Sequence, residues 1–167
     1  MIEGHWFTTI GMSPHAVYNT LWMAYIEHDW HPAKITVFRL TPTSSKPGIK
    51  ERLDTSYQDF EKWLKRFTTQ YDLKTKLEAI YCDEEDYETY ADLYRKALRD
   101  SAGNPRAIDI TPGRKFASAI GMEIGIEEHV DSIFYLHLLD DSYADLPYPQ
   151  IPRSLVKLVD FKKGVNP

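Results

Sequence analysis

The chain has a single cysteine, Cys82, so no internal disulfide can form. A protein without disulfides suits a reducing compartment, and we expect a cytoplasmic location, with Cys82 as a small buried residue at a strand end. No apolar run approaches the length that crosses a membrane. The N-terminus lacks a basic region followed by an apolar one, so we expect neither a membrane span nor a signal peptide.

An excess of positive charge is also missing. The 20 Lys and Arg residues stand against 25 Asp and Glu, which gives a formal net charge of −5. Binding to long nucleic acid requires a basic face, so we expect no such partner, although a few local cations can still hold a small anionic ligand. The 167 residues suit one domain, and no linker or repeat divides the chain, so residues 1–167 are expected to form a single domain.

Strand-like and helix-like segments alternate along the chain. Aromatic and β-branched residues end at Gly11, and Ser13 followed by Pro14 is typical of a helix start. The third helix is expected to bury Tyr87 and Tyr90 on its inner face. Expected strands span 5–10, 34–40, 77–82, 106–110, 132–139 and 155–161, expected helices span 14–27, 55–71, 84–99 and 113–127, and expected loops span 41–52 and 140–152.

Four strand–helix units in succession predict a mainly parallel sheet with helices on both faces, which is a Rossmann-like α/β fold. Right-handed crossovers would place every strand-to-helix loop at one edge of that sheet. In such sheets ligands bind beyond the carboxyl ends of the strands, where the strand order reverses.

Two of these strand-to-helix loops carry unusual chemistry. In the first, Gly11 allows close backbone approach to a ligand and Ser13 offers a hydroxyl at a helix N-terminus. The second runs from Thr111 through Gly113 to the adjacent cations Arg114 and Lys115. Cations at a helix N-terminus oppose the helix dipole, and an anionic ligand would relieve that conflict.

Simpler structural interpretations exist for both loops. Ser13 could serve only as a helix cap, and Arg114 could be a solvated surface cation. Neither loop is a Walker A motif or a Gly-x-Gly-x-x-Gly dinucleotide fingerprint, so ATP hydrolysis and NAD binding are poorly supported. His28 and His31 lack a third nearby ligand, and the acidic residues 83–86 are typical of a solvated helix start, so no metal site is expected.

The two loops together resemble the CARF (CRISPR-associated Rossmann fold) superfamily over residues 5–161. Its members typically carry a Gly-x-Ser/Thr-Pro turn early, here Gly11-Met12-Ser13-Pro14. They carry an Asp-x-Thr-x-Gly-x-Lys turn late, here Asp109 to Lys115. The resemblance implies binding of a cyclic oligoadenylate, a second messenger of type III CRISPR systems, across a symmetric homodimer.

The resemblance extends to the stand-alone ring nucleases, which degrade cyclic tetra-adenylate and switch the antiviral response off. Many superfamily members add a ribonuclease or DNA-binding domain; we expect none here, because 167 residues suit one domain and no Arg is followed four to six residues later by His. The resemblance implies Ser13 and Lys115 as the catalytic pair, with no metal and no cofactor. Further implied ligand contacts are Gly11, Met12, Thr111, Gly113 and Arg114.

The expected reaction uses the 2′-OH of the substrate to attack the neighbouring phosphorus, giving a linear product with a 2′,3′-cyclic phosphate. Lys115 would stabilise charge on the phosphate, and Ser13 would position the phosphate or the ribose. His15 is the best candidate for a general base, although a first-turn surface role is the simpler interpretation. After the second strand, residues that could touch adenine or ribose are Arg39, Thr41, Ser44, Ser45 and Lys46.

Two other functions remain open from the sequence. The same fold could act as a sensor that binds the cyclic nucleotide without cleaving it and passes the change to a partner. The chain could also be an unrelated α/β enzyme that acts on a nucleotide or phosphorylated metabolite.

Overall fold

The computed structural model describes residues 2–42 and 48–164. In this part of the chain six strands alternate with four helices, and three short 3-10 turns precede the last strand. The strands are β1 (Ile2–Ile10), β2 (Trp30–Thr41), β3 (Lys76–Asp83), β4 (Arg106–Asp109), β5 (Ser132–Leu138) and β6 (Val156–Asp160). The helices are α1 (Pro14–His28), α2 (Ile49–Gln70), α3 (Tyr87–Asp100) and α4 (Lys115–Glu127).

The strands form one sheet in the order β3-β2-β1-β4-β5-β6. The first five strands are parallel, and β6 runs antiparallel to β5. The chain moves outward from β1 to β3, crosses back, and then moves outward again from β4 to β6. The predicted fold class, a Rossmann-like and mainly parallel α/β sheet, is confirmed, and its strand order reverses between β1 and β4.

The sheet buries both of its faces, because successive side chains of each strand point to opposite sides. Trp6 faces the layer of α1 and α2, and Phe7 faces the layer of α3 and α4. Phe134 of β5 stacks on Trp6 at 5.4 Å between ring centroids, and Phe38 of β2 stacks on Tyr94 of α3 at 4.2 Å. Each helical layer therefore has its own aromatic core.

Helix α1 is buried more completely than its sequence pattern indicates. The pattern predicts one inner face with Val17, Leu21 and Ala24, and all residues from 17 to 24 are in fact buried. The sheet lies on one side of the helix, α2 packs beside it, and the segment 140–152 covers it from outside. These three neighbours explain why α1 has little polar surface.

The segment 140–152 was expected to be a loop, and it contains two of the 3-10 turns, Asp141–Tyr143 and Tyr148–Gln150. Asn19 of α1 fastens it from within. The Asn19 side-chain amide donates to the Leu146 carbonyl at 2.9 Å, and its oxygen accepts from the Tyr148 backbone N–H at 2.7 Å. The Tyr148 side chain is buried against Trp22. The segment is thus part of the core that surrounds α1.

Two expectations about helices are wrong. Helix α2 begins at Ile49, inside the expected loop 41–52, and Gly48 before it has a positive φ of 86°, which glycine adopts without strain. Tyr87 was expected on the inner face of the third helix, and it is 53% exposed. Tyr87 is the first residue of α3, and the residues of this helix that are buried begin one turn later, at Tyr90.

Within residues 2–42 and 48–164, no helix combines the length and the apolar character that a membrane crossing requires.

We predict that Asn19→Ala lowers the free energy of unfolding by about 1–3 kcal/mol, because a buried backbone N–H of the segment 140–152 loses its acceptor. Chemical denaturation measures this loss, and limited proteolysis should show faster cutting within 140–152. Gln58→Ala removes an exposed amide from α2 and should stay within about 0.5 kcal/mol of wild type. Equal stability of the Asn19 variant and wild type would contradict the assignment.

Candidate functional site

The two loops singled out in the sequence lie side by side. Strands β1 and β4 are paired in parallel, with Thr8 opposite Asp109, so both end at the same edge of the sheet. A Cβ atom built on Gly11 would lie 3.4 Å from the Cα of Gly113. The site therefore lies at the point where the strand order reverses, which is where this class of fold binds ligands.

Gly113 is required by its backbone and by its surroundings. Its φ of 92° lies in the left-handed region that side chains disfavour. A Cβ there would lie 3.1 Å from the Cγ2 of Thr9, which is tighter than an ordinary contact. The packing of the second loop against Thr9 thus depends on the missing side chain at Gly113.

A buried hydrogen-bond network anchors the second loop. The carboxylate of Asp109 accepts from the Thr8 hydroxyl at 3.2 Å and from the Thr111 backbone N–H at 2.9 Å. The Thr111 hydroxyl accepts from the Leu136 backbone N–H at 2.7 Å and from the Thr20 hydroxyl at 3.2 Å. Thr111, expected as a ligand contact, has its side chain bonded within the fold, where it joins β4, β5 and α1.

Burial raises the pKa of the Asp109 carboxyl to about 7, because the charged form is taken out of water. The hydrogen bonds from Thr111, Thr8 and Thr20 act in the opposite direction and stabilise the charged form. The anchor of the second loop therefore changes its charge near neutral pH.

The two helices that begin at this edge have open N-termini. Ser13 stands at the N-cap of α1 and Arg114 at the N-cap of α4, and neither side chain caps its helix. Both helices lack acidic residues in their first turns. Helix α3 differs, since Asp86 caps it through the Thr89 backbone N–H. Two partial positive charges and free backbone N–H groups are thus available where the loops meet.

Ser13 and Lys115 carry polar groups that the fold does not use. In the described part of the chain, the Ser13 hydroxyl and the Lys115 ammonium have no hydrogen-bond or ion-pair partner. Lys115 is exposed at the first residue of α4, and Met12 is 50% exposed on the neighbouring loop. The interpretation of Ser13 as a simple side-chain cap is therefore wrong.

Arg114 is already paired. Its guanidinium lies 3.1 Å from a carboxylate oxygen of Glu84, which follows β3. Glu84 thus compensates one of the two cations that oppose the helix dipole, and Lys115 is left uncompensated. An open cavity of about 520 Å³ adjoins this pair, lined by Glu84, Glu85, Tyr87, Arg114, Lys115 and Phe116.

Two side chains at the end of the second strand are bonded within the fold. The Thr41 hydroxyl donates to the Cys82 carbonyl at 3.0 Å. Arg39 is held by Asp54 at 2.6 Å and lies over the ring of Tyr57 at 4.0 Å. Ser44, Ser45 and Lys46 lie outside the described residues.

His15 packs beside the first loop. Its ring lies 5.9 Å from that of Trp63 on α2, and burial lowers the pKa of the imidazole. Asp145 and Asp59 act in the opposite direction on the same pKa. His15 is therefore partly used in helix packing.

The acidic segment 83–86 has structural roles. A side-chain oxygen of Asp83 accepts from the Glu85 backbone N–H at 2.9 Å, and Asp86 caps α3. Within the ranges that the structure describes, no three His, Cys, Asp or Glu side chains are grouped to hold a metal ion.

A second cavity, of about 430 Å³, lies at the opposite end of the strands. Four of its polar side chains are bonded to one another: Lys34 contacts Glu78 at 2.6 Å, and His5 is hydrogen-bonded to Thr36 at 2.8 Å. The cavity is also lined by Lys96 and Asp100 of α3, and it lies far from the loops that carry Ser13 and Lys115.

No protein-family model matches the chain, and no curated protein is significantly similar to it in sequence. Solved structures do match. Can2 from Sulfobacillus thermosulfidooxidans, in complex with cyclic tetra-adenylate, has a TM-score of 0.52 at 14% identity. Csm6 from Enterococcus italicus, bound to cyclic hexa-2′-fluoro-hexa-dAMP, has a TM-score of 0.60 at 13% identity.

These matches cover 84% of this chain against Can2 and 97% against Csm6. The chain spans only 32% of the Can2 chain and 43% of the Csm6 chain. At these identities the likeness shows a shared fold.

Sequence reasoning missed the roles of Thr9, Thr20 and Glu84, because the side chains that they contact are at least 30 residues away along the chain.

We predict that Gly113→Ala destabilises the protein by about 1–2 kcal/mol more than Gly103→Ala. Both glycines have nearly the same positive φ, at 92° and 93°, so the backbone strain is matched. Only at Gly113 would the added Cβ meet another residue, Thr9, since the space around Gly103 is open. Denaturant unfolding of the two variants measures the difference, and equal losses would contradict a close crossing of the loops.

We predict that the free energy of unfolding falls as the pH rises from about 4 to 7, because the buried Asp109 carboxyl loses its proton over that range. The folded protein holds this proton more tightly than the unfolded chain, so its loss costs the folded state on the order of a few kcal/mol over that window. The free energy of unfolding of Asp109→Asn minus that of wild type should increase with pH and level off above 7. A flat difference would show that the Asp109 pKa is not raised.

Proposed function

We propose that this chain binds a cyclic oligoadenylate between two copies of itself and cleaves the ring. The observation that carries the proposal is the contact between the Gly11 and Gly113 loops, which brings Ser13 and Lys115 to one edge of the sheet. The structural likeness to two proteins solved with cyclic adenylate ligands supports the same ligand class.

The ligand is anionic because the site combines two open helix N-termini with a lysine that has no carboxylate partner among the described residues. The N-termini of α1 and α4 both open at this edge, and Lys115 has no carboxylate partner in the described part of the chain. Phosphate groups bind well at helix N-termini, where backbone N–H groups and the dipole act together. Gly11 and Gly113 leave the backbone bare, so a phosphate can approach it closely.

A ring of four or six equivalent nucleotides suits a two-fold dimer. Each subunit would present the same two loops to half of the ring, in an isologous interface. The pair of subunits then doubles the cations and helix N-termini that face the phosphates. Met12, half exposed beside Ser13, is placed to contact the ligand or the partner subunit.

The cleavage step uses the ligand's own 2′-hydroxyl. The 2′-oxygen forms a bond to phosphorus, the bond from phosphorus to the 5′-oxygen breaks, and the leaving oxygen takes up a proton. The products carry a 2′,3′-cyclic phosphate at one end and a 5′-hydroxyl at the other. Two cuts in cyclic tetra-adenylate give linear di-adenylate, which would end type III CRISPR signalling.

Ser13 and Lys115 have separate tasks in this step. Lys115 is a compact charge that stabilises the negative charge growing on the phosphate oxygens. The free hydroxyl of Ser13 holds the phosphate or ribose so that attacking and leaving oxygens are in line. Thr111 and Arg114 act indirectly, since Thr111 anchors the second loop and Arg114 is tied to Glu84.

A non-catalytic sensor remains the second candidate function, and one observation favours it. His15, the best candidate for a general base, packs against Trp63 and is not free to move a proton as an exposed side chain would be. Without an efficient base, turnover is slow or absent, and the same site would report the ligand by rearranging the dimer.

Incubation with cyclic tetra-adenylate and EDTA, followed by product analysis, tests the proposal. We expect linear di-adenylate with cyclic phosphate ends, formed at the same rate with and without EDTA. Lys115→Ala should slow cleavage about 100- to 1000-fold, which is the usual loss on removing a charge-stabilising donor. Lys65→Ala, at an exposed lysine of α2, is the matched control and should cleave as wild type does.

Tight binding with an intact ring would favour the sensor. Normal cleavage by Lys115→Ala would rule out the assigned mechanism, and absence of any binding to the cyclic tetramer and hexamer would rule out the ligand class.

A further inference from the structure

Tyr87 has an unusual environment for an aromatic side chain of α3. The other two tyrosines on the inner face of this helix, Tyr90 and Tyr94, are completely buried or nearly so, whereas Tyr87 is 53% exposed. Its ring lies 4.8 Å from that of Phe116 on α4, tilted by 54°. Both rings line the open cavity that also contains Lys115. An aromatic surface is thus presented next to the unpaired cation of the site.

The aromatic surface is held in place from below. Tyr90 contacts the edge of Phe116 at 5.6 Å, and its hydroxyl is hydrogen-bonded to the Thr9 hydroxyl at 2.7 Å. Thr9 is the residue that Gly113 approaches where the two loops cross. Phe116 is therefore packed against the layer that contains Tyr90, and Tyr87 contacts Phe116 at the surface, beside the loop that carries Lys115.

Among the described residues, the charged side chains around the cavity are one ion pair and two unpaired groups. Glu84 is committed to Arg114 at 3.1 Å. Glu85 and Lys115 are exposed and, in the described residues, neither side chain is paired. The cavity thus offers one exposed aromatic ring, one carboxylate acceptor and one cation, which match a base, an amino group and a phosphate.

We propose that this cavity is a nucleobase subsite that selects adenine. Tyr87 stacks on the base, and Glu85 accepts a hydrogen bond from the exocyclic N6 amine. Adenine presents a donor at that position, whereas hypoxanthine and guanine present a carbonyl oxygen that a carboxylate repels. The cavity has a volume of about 520 Å³ and is open to solvent.

This inference rests on the proposed function and adds the base specificity of the site. In a two-fold dimer each subunit supplies one such cavity, so two of the four bases in a cyclic tetramer are held by stacking on Tyr87. Lys115 borders the same cavity, so the base held there belongs to a nucleotide next to the phosphate that Lys115 faces.

Binding of 2′-fluoro cyclic tetra-adenylate, measured by calorimetry, tests the stacking role, because this ring lacks the 2′-hydroxyl and stays intact. Tyr87→Ala should weaken the Kd roughly 5- to 100-fold, as expected for loss of one stacked base per subunit. Tyr87→Phe keeps the ring and should bind within about twofold of wild type. Tyr87 is about half exposed, so both variants should stay folded at the temperature of the binding measurement, and thermal unfolding serves as the folding control.

The matching ring built from inosine tests the role of Glu85. Wild type should bind 2′-fluoro cyclic tetra-inosinate at least about tenfold more weakly than the adenylate ring, the equivalent of one good hydrogen bond to a charged acceptor. Glu85→Ala should bring the two affinities together. Glu88→Ala removes an exposed acid of α3 that is outside the cavity, and it should keep the wild-type preference.

The outcomes separate this inference from the proposed function. Wild-type binding of the adenylate ring together with an unaffected Tyr87→Ala variant would overturn the adenine subsite and leave the proposed function standing. Equal affinity of wild type for the adenylate and inosinate rings would also overturn it. Failure of wild type to bind either the tetramer or the hexamer of 2′-fluoro adenylate would overturn both.

Discussion

The site depends on the close approach of two loops at the end of the paired strands β1 and β4. The Gly11 loop lies beside Gly113, and Gly113 lies against Thr9. Gly113 suits this position because it has no side chain to meet Thr9 and because it takes a left-handed backbone conformation. Two helices on opposite faces of the sheet begin at this crossing, so their positive ends converge there.

Polar groups near the crossing divide into those that hold the structure and those that the structure leaves free. Asp109 and Thr111 are bonded inside the fold and join the strand ends to α1 and β5. Glu84 compensates Arg114. Lys115 and the Ser13 hydroxyl remain unpaired in the described residues, at helix starts whose first turns contain no acid. A phosphate would complete this arrangement, and nothing within the described fold does so.

Sequence patterns predicted the elements correctly where residue type and the spacing of apolar residues were enough to define them. The Ser13-Pro14 helix start and the parallel sheet follow from residue type and periodicity. The patterns failed where a distant part of the chain decides the environment. Tyr87 has the right spacing for the inner face but lies at the helix end, and the segment 140–152 is fastened by Asn19 of α1, more than 120 residues earlier.

The sequence by itself determined the two loops, because glycine, hydroxyl and lysine at strand-to-helix junctions have chemistry that does not depend on distant residues. The sequence also determined the order of strands and helices along the chain, because the spacing of apolar residues predicts each element. Only the tertiary structure decided that Thr111 faces inward, that Arg114 is neutralised by Glu84, and that Tyr87 is exposed beside Lys115. Hydrogen bonds, ion pairs and burial depend on which side chains come together in space, and that pairing is set by the packing of the whole sheet.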